Sequence, residues 1–306
     1  MAATVGLEQK ASLEYEGANR WGLGPLTPGA AEIELMLEGN GAQFTTERSW
    51  VPIIANVKSP AHGVASQHAV GQNITGNINF VLTTVNKTLL TNKFVERTAA
   101  TGKLDSFSFY FDKGPANFGY NGCKVNTCEI SAAPGDFARM TWDVIAKEQV
   151  AAAIAPVVPT SVGNFFPHWA SSFSWGGTAL TTIENWSVSI NNNLVAGPHN
   201  ASNLTFDKAV ISYLEETTQD VTGSFTVLWD PSILNWNTDL IATTEVPRAL
   251  LITLRDGTIG GTTIVISVPQ AYVSAAPEEG GMGDLLKVTV NWQAAYNASG
   301  DIILFT

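Results

Sequence analysis

A mainly β protein built from two tandem antiparallel units, each flanked by a short α-helix, is predicted by three features of this 306-residue chain. Segments recur in one order at nearly constant spacing, apolar residues alternate with a period of two, and an Ala/Pro stretch separates the copies. Ser131-Ala132-Ala133-Pro134 returns as Ser274-Ala275-Ala276-Pro277, 143 positions on, and 107–114 matches 250–257 at the same offset. Residues 73–82 match 220–229 at an offset of 147, and 139–143 pair loosely with 287–291. One short match would carry little weight. Four in the same order, separated by small insertions, are hard to obtain by chance.

The alternation identifies the repeated elements as strands. Ile74, Ile78, Phe80 and Leu82 interleave with Thr75, Asn77, Asn79 and Val81; Val221, Phe225 and Val227 interleave with Thr222, Ser224 and Thr226. Leu286, Val288, Val290 and Trp292 do the same with Lys287, Thr289, Asn291 and Gln293. Such strands have one buried and one wet face, which antiparallel sheets permit. After the first strand of each copy comes a segment of helical character, 86–97 and 231–243, the second opened by Asp230-Pro231 as N-cap and first-turn proline. The organisation expected is a first unit at 51–148, a linker at 149–165 and a second unit at 166–306. Residues 1–50, with Gly22, Gly24, Pro25, Pro28 and Gly29, have no duplicate and suggest an extended arm leading into a first strand region.

Charged residues make up only 14% of the chain, against about 25% in ordinary soluble domains. A surface that is polar but sparsely charged suits contact with partners or a neutral wall. The net charge of −11 argues against binding nucleic acid through its phosphates. That charge is uneven: residues 1–148 carry 12 basic and 14 acidic side chains, and 149–306 carry 4 and 13. The N-terminus lacks the basic and apolar pattern of a signal peptide, and the longest apolar run, 150–159, is too short to span a membrane. Cys123 and Cys128 lie five apart in an expected strand and so on opposite faces, which disfavours a disulfide. Free thiols without an export signal point to cytoplasmic synthesis.

Motifs for chemistry are absent. His62, His68, His168 and His199 show no metal-ligand spacing, so neither a metal nor a cofactor is expected. Gly102-Lys103 lacks the upstream glycine of a phosphate loop, and the glycines of 280–283 join two strands instead of opening a helix. Glu215-Glu216 and Glu278-Glu279 are adjacent, so on a strand each pair points apart, unlike the facing carboxylates of a glycosidase. The reading is not an enzyme. Trp169 and Trp175 offer a sugar-stacking platform as an alternative, while Trp142, Trp186 and Trp292 follow core patterns.

The run Tyr120-Asn-Gly-Cys-Lys-Val-Asn-Thr-Cys-Glu-Ile-Ser-Ala-Ala-Pro-Gly135, followed by Met140-Thr-Trp-Asp-Val144, resembles the middle of duplicated tail tube proteins of long, non-contractile-tailed bacteriophages. So do Trp186-Ser-Val-Ser-Ile-Asn-Asn-Asn193, Val221-Thr-Gly-Ser-Phe-Thr-Val227 and Lys287-Val-Thr-Val-Asn-Trp-Gln-Ala-Ala-Tyr296, and the likeness extends over residues 50–306. It implies tail-tube-type β-sandwich or barrel units assembled, in the host cytoplasm, into rings that stack as the hollow tube of the virion tail. Each unit then lends strands to a continuous barrel, and six units per ring means a homotrimer with pseudo-sixfold symmetry. The partners implied are the tape measure, tail terminator and distal tail proteins, with DNA passing through unbound and no membrane contact. Thr75, Asn77, Asn79, Thr222, Ser224 and Thr226 become candidate lumen-facing residues. An acidic lumen would repel DNA within about 8 Å at physiological salt. Pro134, Gly135 and Asp136, with Pro277, Glu278, Glu279, Gly280 and Gly281, become candidate hairpin tips reaching a neighbouring ring. The alternatives are another ring-forming virion component, such as a terminator, distal tail or decoration protein, or a carbohydrate-binding β-sandwich.

Overall fold

The computed structural model describes residues 10–16, 21–24, 33–35, 37–54, 64–91, 94–97, 102–112, 117–151, 156, 163–201, 209–228, 238–240, 242, 244–279 and 286–306. The first half runs β1 (Lys10–Tyr15), β2 (Ile33–Glu34), β3 (Leu37–Ile54), β4 (Val64–Val81), α1 (Thr88–Thr91), β5 (Phe107–Asp112), β6 (Asn117–Ala132), β7 (Arg139–Ala146) and β8 (Glu148–Ala151). The second runs β9 (Ser172–Trp175), β10 (Thr178–Leu180), β11 (Ile183–Asn191), β12 (Leu194–Ala196), β13 (His199–Ala201), β14 (Ala209–Ile211), β15 (Leu214–Glu216) and β16 (Asp220–Leu228). It ends with β17 (Arg248–Arg255), β18 (Thr263–Ala275), β19 (Glu278–Glu279), β20 (Lys287–Ala294) and β21 (Leu304–Phe305).

The strand pairs are antiparallel, and β6 belongs to two sheets. Its first part pairs with β5 and β8 in the sheet that also holds β1 and β2. Its second part lies between β7 and β11 in a long sheet running β3-β4-β7-β6-β11-β16-β20-β18 and onward through β17 and β9 to β10. β19 prolongs the line of β18 along β20, and β21 pairs back onto β18. Between β11 and β16 the chain leaves the sheet as two small ladders, β12–β15 and β13–β14, and β14 packs beside β4.

One core serves both halves. Ile74, Ile78, Phe80 and Leu82 are buried while Thr75 is exposed, as the alternation requires. Aromatic rings interlock around Trp142, with Phe80 edge-on at 5.2 Å and Phe107 at 5.7 Å, the geometries that ring quadrupoles favour. Leu286 departs from the expected pattern: it precedes β20 and is 38% exposed.

The two halves follow one pairing plan. β1 joins β2 and β5 as β9 joins β10 and β17, and β4 lies between β3 and β7 as β16 lies between β11 and β20. Ile78 faces Trp142 and Phe80 faces Met140; 147 and 148 positions later Phe225 faces Val290 and Val227 faces Val288. Opposite Phe107–Phe109 of β5 the partner β6 carries one extra residue between Tyr120 and Cys123, and opposite Arg248–Leu250 of β17 the partner β18 carries one between Val268 and Ala271. The ladders do correct one sequence match. Ser131 opposes Arg139 as Glu279 opposes Lys287, both 148 positions on. The two Ser-Ala-Ala-Pro elements, 143 apart, therefore occupy different ladder positions.

Other expectations change as well. The helical segment 86–97 contains a single turn, Thr88–Thr91, followed by bends that still bury Phe94 and Val95. Of 231–243, residues 238–240 are helical, and Asp230 and Pro231 lie outside the described residues. Glu148–Ala151 enters the expected linker as a paired strand, and Phe165 at its other end bridges to Thr83; most of the stretch between lies outside the described residues. The cysteines do not end on opposite faces. A register shift between Val125 and Thr127 inserts one residue into β6, which flips the parity, so Cys123 and Cys128 are both fully buried and free.

Residues 10–16 are interior structure, not arm. Glu16 is buried, and its carboxylate accepts hydrogen bonds from Gly22 N (2.7 Å), Gly122 N (2.7 Å), Ser106 Oγ (2.9 Å) and Ser108 Oγ (2.9 Å). Trp21 Nε1 donates to Gly122 O at 3.0 Å, and the Lys147 ammonium sits 4.6 Å from the Trp21 ring. Burial lowers the Lys147 pKa, partly offset by Glu16 and Glu148. Gly122 has φ +67°, and a Cβ there would meet Lys147 at 2.7 Å, so glycine is required.

Two outcomes are expected. Glu16→Ala leaves buried donors unpaired and should lower the unfolding free energy in denaturant titration by about 3 kcal/mol. Burial pushes both thiols upward in pKa, so iodoacetamide at mildly alkaline pH should label neither cysteine in the native protein and both after unfolding.

Candidate functional site

The feature that organises the molecule is the wet face of the long sheet. Because register is continuous across β6 and β11, polar residues line up in rows through both halves. One row reads Gln43, Asn77, Asp143, Thr127, Asn191 and Asp220 on β3, β4, β7, β6, β11 and β16. The next reads Asn79, Thr141, Glu129, Ser189, Thr222 and Gln293, ending on β20. A third holds Arg139, Ser131, Ser187, Ser224 and Asn291.

Neighbours across and along the strands bond to each other. Asn77 Nδ2 donates to Asp143 Oδ1 (2.7 Å), Thr127 Oγ1 donates to Asp143 Oδ2 (2.6 Å), and Asn79 Nδ2 donates to Asn77 Oδ1 (2.8 Å). Thr141 Oγ1 donates to Asn79 Oδ1 (2.9 Å), and in the second half the hydroxyls of Ser187 and Ser224 (3.2 Å) and of Thr226 and Thr289 (2.9 Å) pair. Donors and acceptors thus largely satisfy one another, leaving a smooth, weakly adhesive surface. Its formal charges in these rows are Asp143, Glu129 and Asp220 against Arg139, which is clasped by Glu38 (Nη2–Oε1 2.6 Å) and Asp136.

Thr75, Asn77, Asn79, Thr222 and Ser224 therefore share one face, though they come from both halves of the chain. Thr226 sits at its margin, buried by the contact with Thr289. Sequence reading missed Asp143, Thr141, Thr127 and Glu129 on the same face. The alternation of 139–146 carried a signal for the first two; the bulge in β6 obscured the others.

The expected hairpin tips are built differently. Pro134-Gly135-Asp136 forms a turn with Gly135 at φ +80°, but it is tied down: His168 N donates to Asp136 O (2.9 Å), Ala138 N to Phe166 O (2.8 Å), and Phe137 packs on Phe165. Pro277, Glu278 and Glu279 are not at a tip, since the latter two form β19 against β20; Gly280 and Gly281 lie outside the described residues. The tryptophan platform is overturned. Trp169 is 73% exposed, whereas Trp175 is 1% exposed, packed on Phe225 inside the core. Among the described residues, no three His, Cys, Asp or Glu side chains gather to hold a metal, and no helix is long and apolar enough to cross a membrane.

Fold and face define an antiparallel β protein of structural type, in which a long sheet presents one polar, sparsely charged side. The family model described as "Phage tail tube protein" matches residues 24–294, and the chain belongs to that family, the structural proteins of the phage tail tube. No curated protein matches the chain significantly.

The two hydroxyl environments make a contrast that stability measurements can read. Thr226→Val should cost about 1 kcal/mol by stranding the Thr289 hydroxyl, whereas Thr222→Val, on the exposed face, should change thermal stability by less than about 0.5 kcal/mol.

Proposed function

We propose that three copies of this chain, each contributing two homologous units, close into a ring with pseudo-sixfold symmetry, and that rings stack into the tube through which DNA leaves the phage head. The joint between β6 and β11 carries this reading. It welds the last strand of one four-stranded set (β3, β4, β7, β6) to the first strand of the next (β11, β16, β20, β18). Among the described residues, β3 pairs only with β4 and β19 only with β20. Those open edges occupy the places of β11 and β6 in the joint.

The edge on β19 is chemically ready. Pro277 O accepts from Thr289 N at 3.3 Å, so the proline turns its missing N–H toward β20 and away from the free side. Carrying the register of the internal joint to the open edges places Gln43 of one copy opposite Glu279 of the next, as Ser187 stands opposite Ser131.

Size supports a multi-chain ring. Eight strands close on a side-chain-filled interior, so one chain leaves no channel. Three chains bring 24 strands, and at 4.8 Å spacing and a tilt of about 40° the barrel is roughly 48 Å across at the backbone, wide enough for an aqueous channel. The polar rows then face the lumen, where mutually satisfied amides and hydroxyls, with acidic residues outnumbering free basic ones, let a polyanion pass without holding it. Tape measure, terminator and distal tail proteins are the partners such a tube requires, and the virion tail is its location.

A Gln43→Cys/Glu279→Cys variant tests the ring. The pair is of the non-hydrogen-bonded kind, with Cα atoms close enough for a disulfide. Oxidation of assembled protein should yield covalent trimers as the limiting species. Monomers throughout would refute the edge pairing. Linked rings that never stack would instead identify another ring-forming virion component.

A further inference from the structure

Each half of the chain has a groove beside a register shift in its long strand, β6 or β18, and among the described residues only one of the two is filled. In the first half the groove around Lys124 and the turn 94–97 holds the segment 214–219 of the second half. Lys124 Nζ donates to Leu214 O (3.0 Å) and pairs with Glu216 (2.7 Å). Arg97 donates to Thr217 O (2.8 Å), Thr218 O (2.7 Å) and Asn192 O (2.7 Å), and Gln219 Nε2 donates to Val95 O (3.2 Å) and Asn192 Oδ1 (2.8 Å).

The matching ladder position in the second half is Tyr272, which faces Gln293 as Lys124 faces Ile145. Among the described residues the groove there is open, with a volume of about 460 Å³ lined by Asp239, Leu240, Glu245, Tyr272, Gln293 and Ala295 among others. Helical residues 238–240 precede β17 beside it as α1 precedes β5.

We infer that this open groove receives residues 67–72 of a neighbouring copy, deepening the ring reading on which it rests. Segment 214–219 runs directly into β16; its counterpart 147 positions earlier, 67–72, runs into the paired centre of β4. Gln72 stands where Gln219 stands. Both are buried; Gln219 Nε2 donates to Val95 O of the first half and to Asn192 Oδ1 of its own half, whereas Gln72 Oε1 has no hydrogen-bond partner among the described residues of the chain. Arg48, opposite Gln72 in the β3–β4 ladder, takes the position of Asn192, and it is exposed. The groove offers it a carboxylate: Asp239 is already engaged by Arg248 (2.8 Å), and Glu245 is exposed beside it. The polar latch made within the chain thus becomes an Arg48–Glu245 contact between chains.

Charge reversal tests this. Glu245→Arg and Arg48→Glu should each raise the concentration needed for tube assembly, followed by sedimentation and negative-stain microscopy, about tenfold through like-charge contact. The double variant should recover to within about threefold. Unchanged circular dichroism and melting of the unassembled variants keeps folding out of the comparison. Normal assembly of the single variants, or no recovery in the double, overturns the docking. The Gln43→Cys/Glu279→Cys linkage is scored in parallel: trimers there with no charge effect mean the ring stands without this docking, and no linkage means the ring reading itself fails.

Discussion

The structure turns on the bend in β6. One strand must leave the sheet of β1 and β5 and enter the long sheet of β7 and β11, and the chain achieves this with a left-handed glycine and an inserted residue within five positions, Gly122 to Asn126. A bend of this kind frees backbone N–H groups from their ladder. Glu16 supplies the acceptor, binding Gly122 N together with two serines of β5 and its preceding turn. A buried carboxylate is stable only when so surrounded. The segment before β2 is consequently fastened to the middle of the fold, and both sheets inherit their relative placement from one side chain.

Much of this was legible in the sequence, and the failures have physical causes. Period-two alternation located β4, β16 and β20, because each has one face in the core and one in water. Repeat offsets from those strands agree with the ladders to within one residue. Ser-Ala-Ala-Pro misled because it sits at strand ends, where bulges and insertions change register without changing composition. Cys123 and Cys128 were misplaced for the same reason: one inserted residue between them converts odd spacing into a shared environment. In 86–97, Leu89, Leu90, Phe94 and Val95 have the apolar density of a helix, yet burial is achieved by one turn and a set of bends. Glu16 gave no signal, since a lone acid in a glycine-rich stretch reads as solvated until its four donors, up to 106 residues away, are brought to it.

The polar face shows how little chemistry a structural surface needs. Its side chains satisfy one another across the strands, so few are left with unused capacity. A binding site concentrates unmet donors, acceptors or charge; this face spreads and cancels them. That is why candidates could be picked by alternation on β4 and β16 but the face as a whole could not. It exists only once β6 and β11 are placed side by side.

The filled groove has a kinetic consequence. A joint made within one chain forms during folding at the effective concentration set by the chain itself, and it pays no translational or rotational entropy of association, a term of about 4–15 kcal/mol for separate molecules. In the six-unit ring proposed above, half of the joints are therefore already closed in every subunit that enters, and three joints between chains remain to be made instead of six. Filled at one joint and open at the other, each subunit also has a distinguishable front and back, so every joint of the proposed ring is front to back.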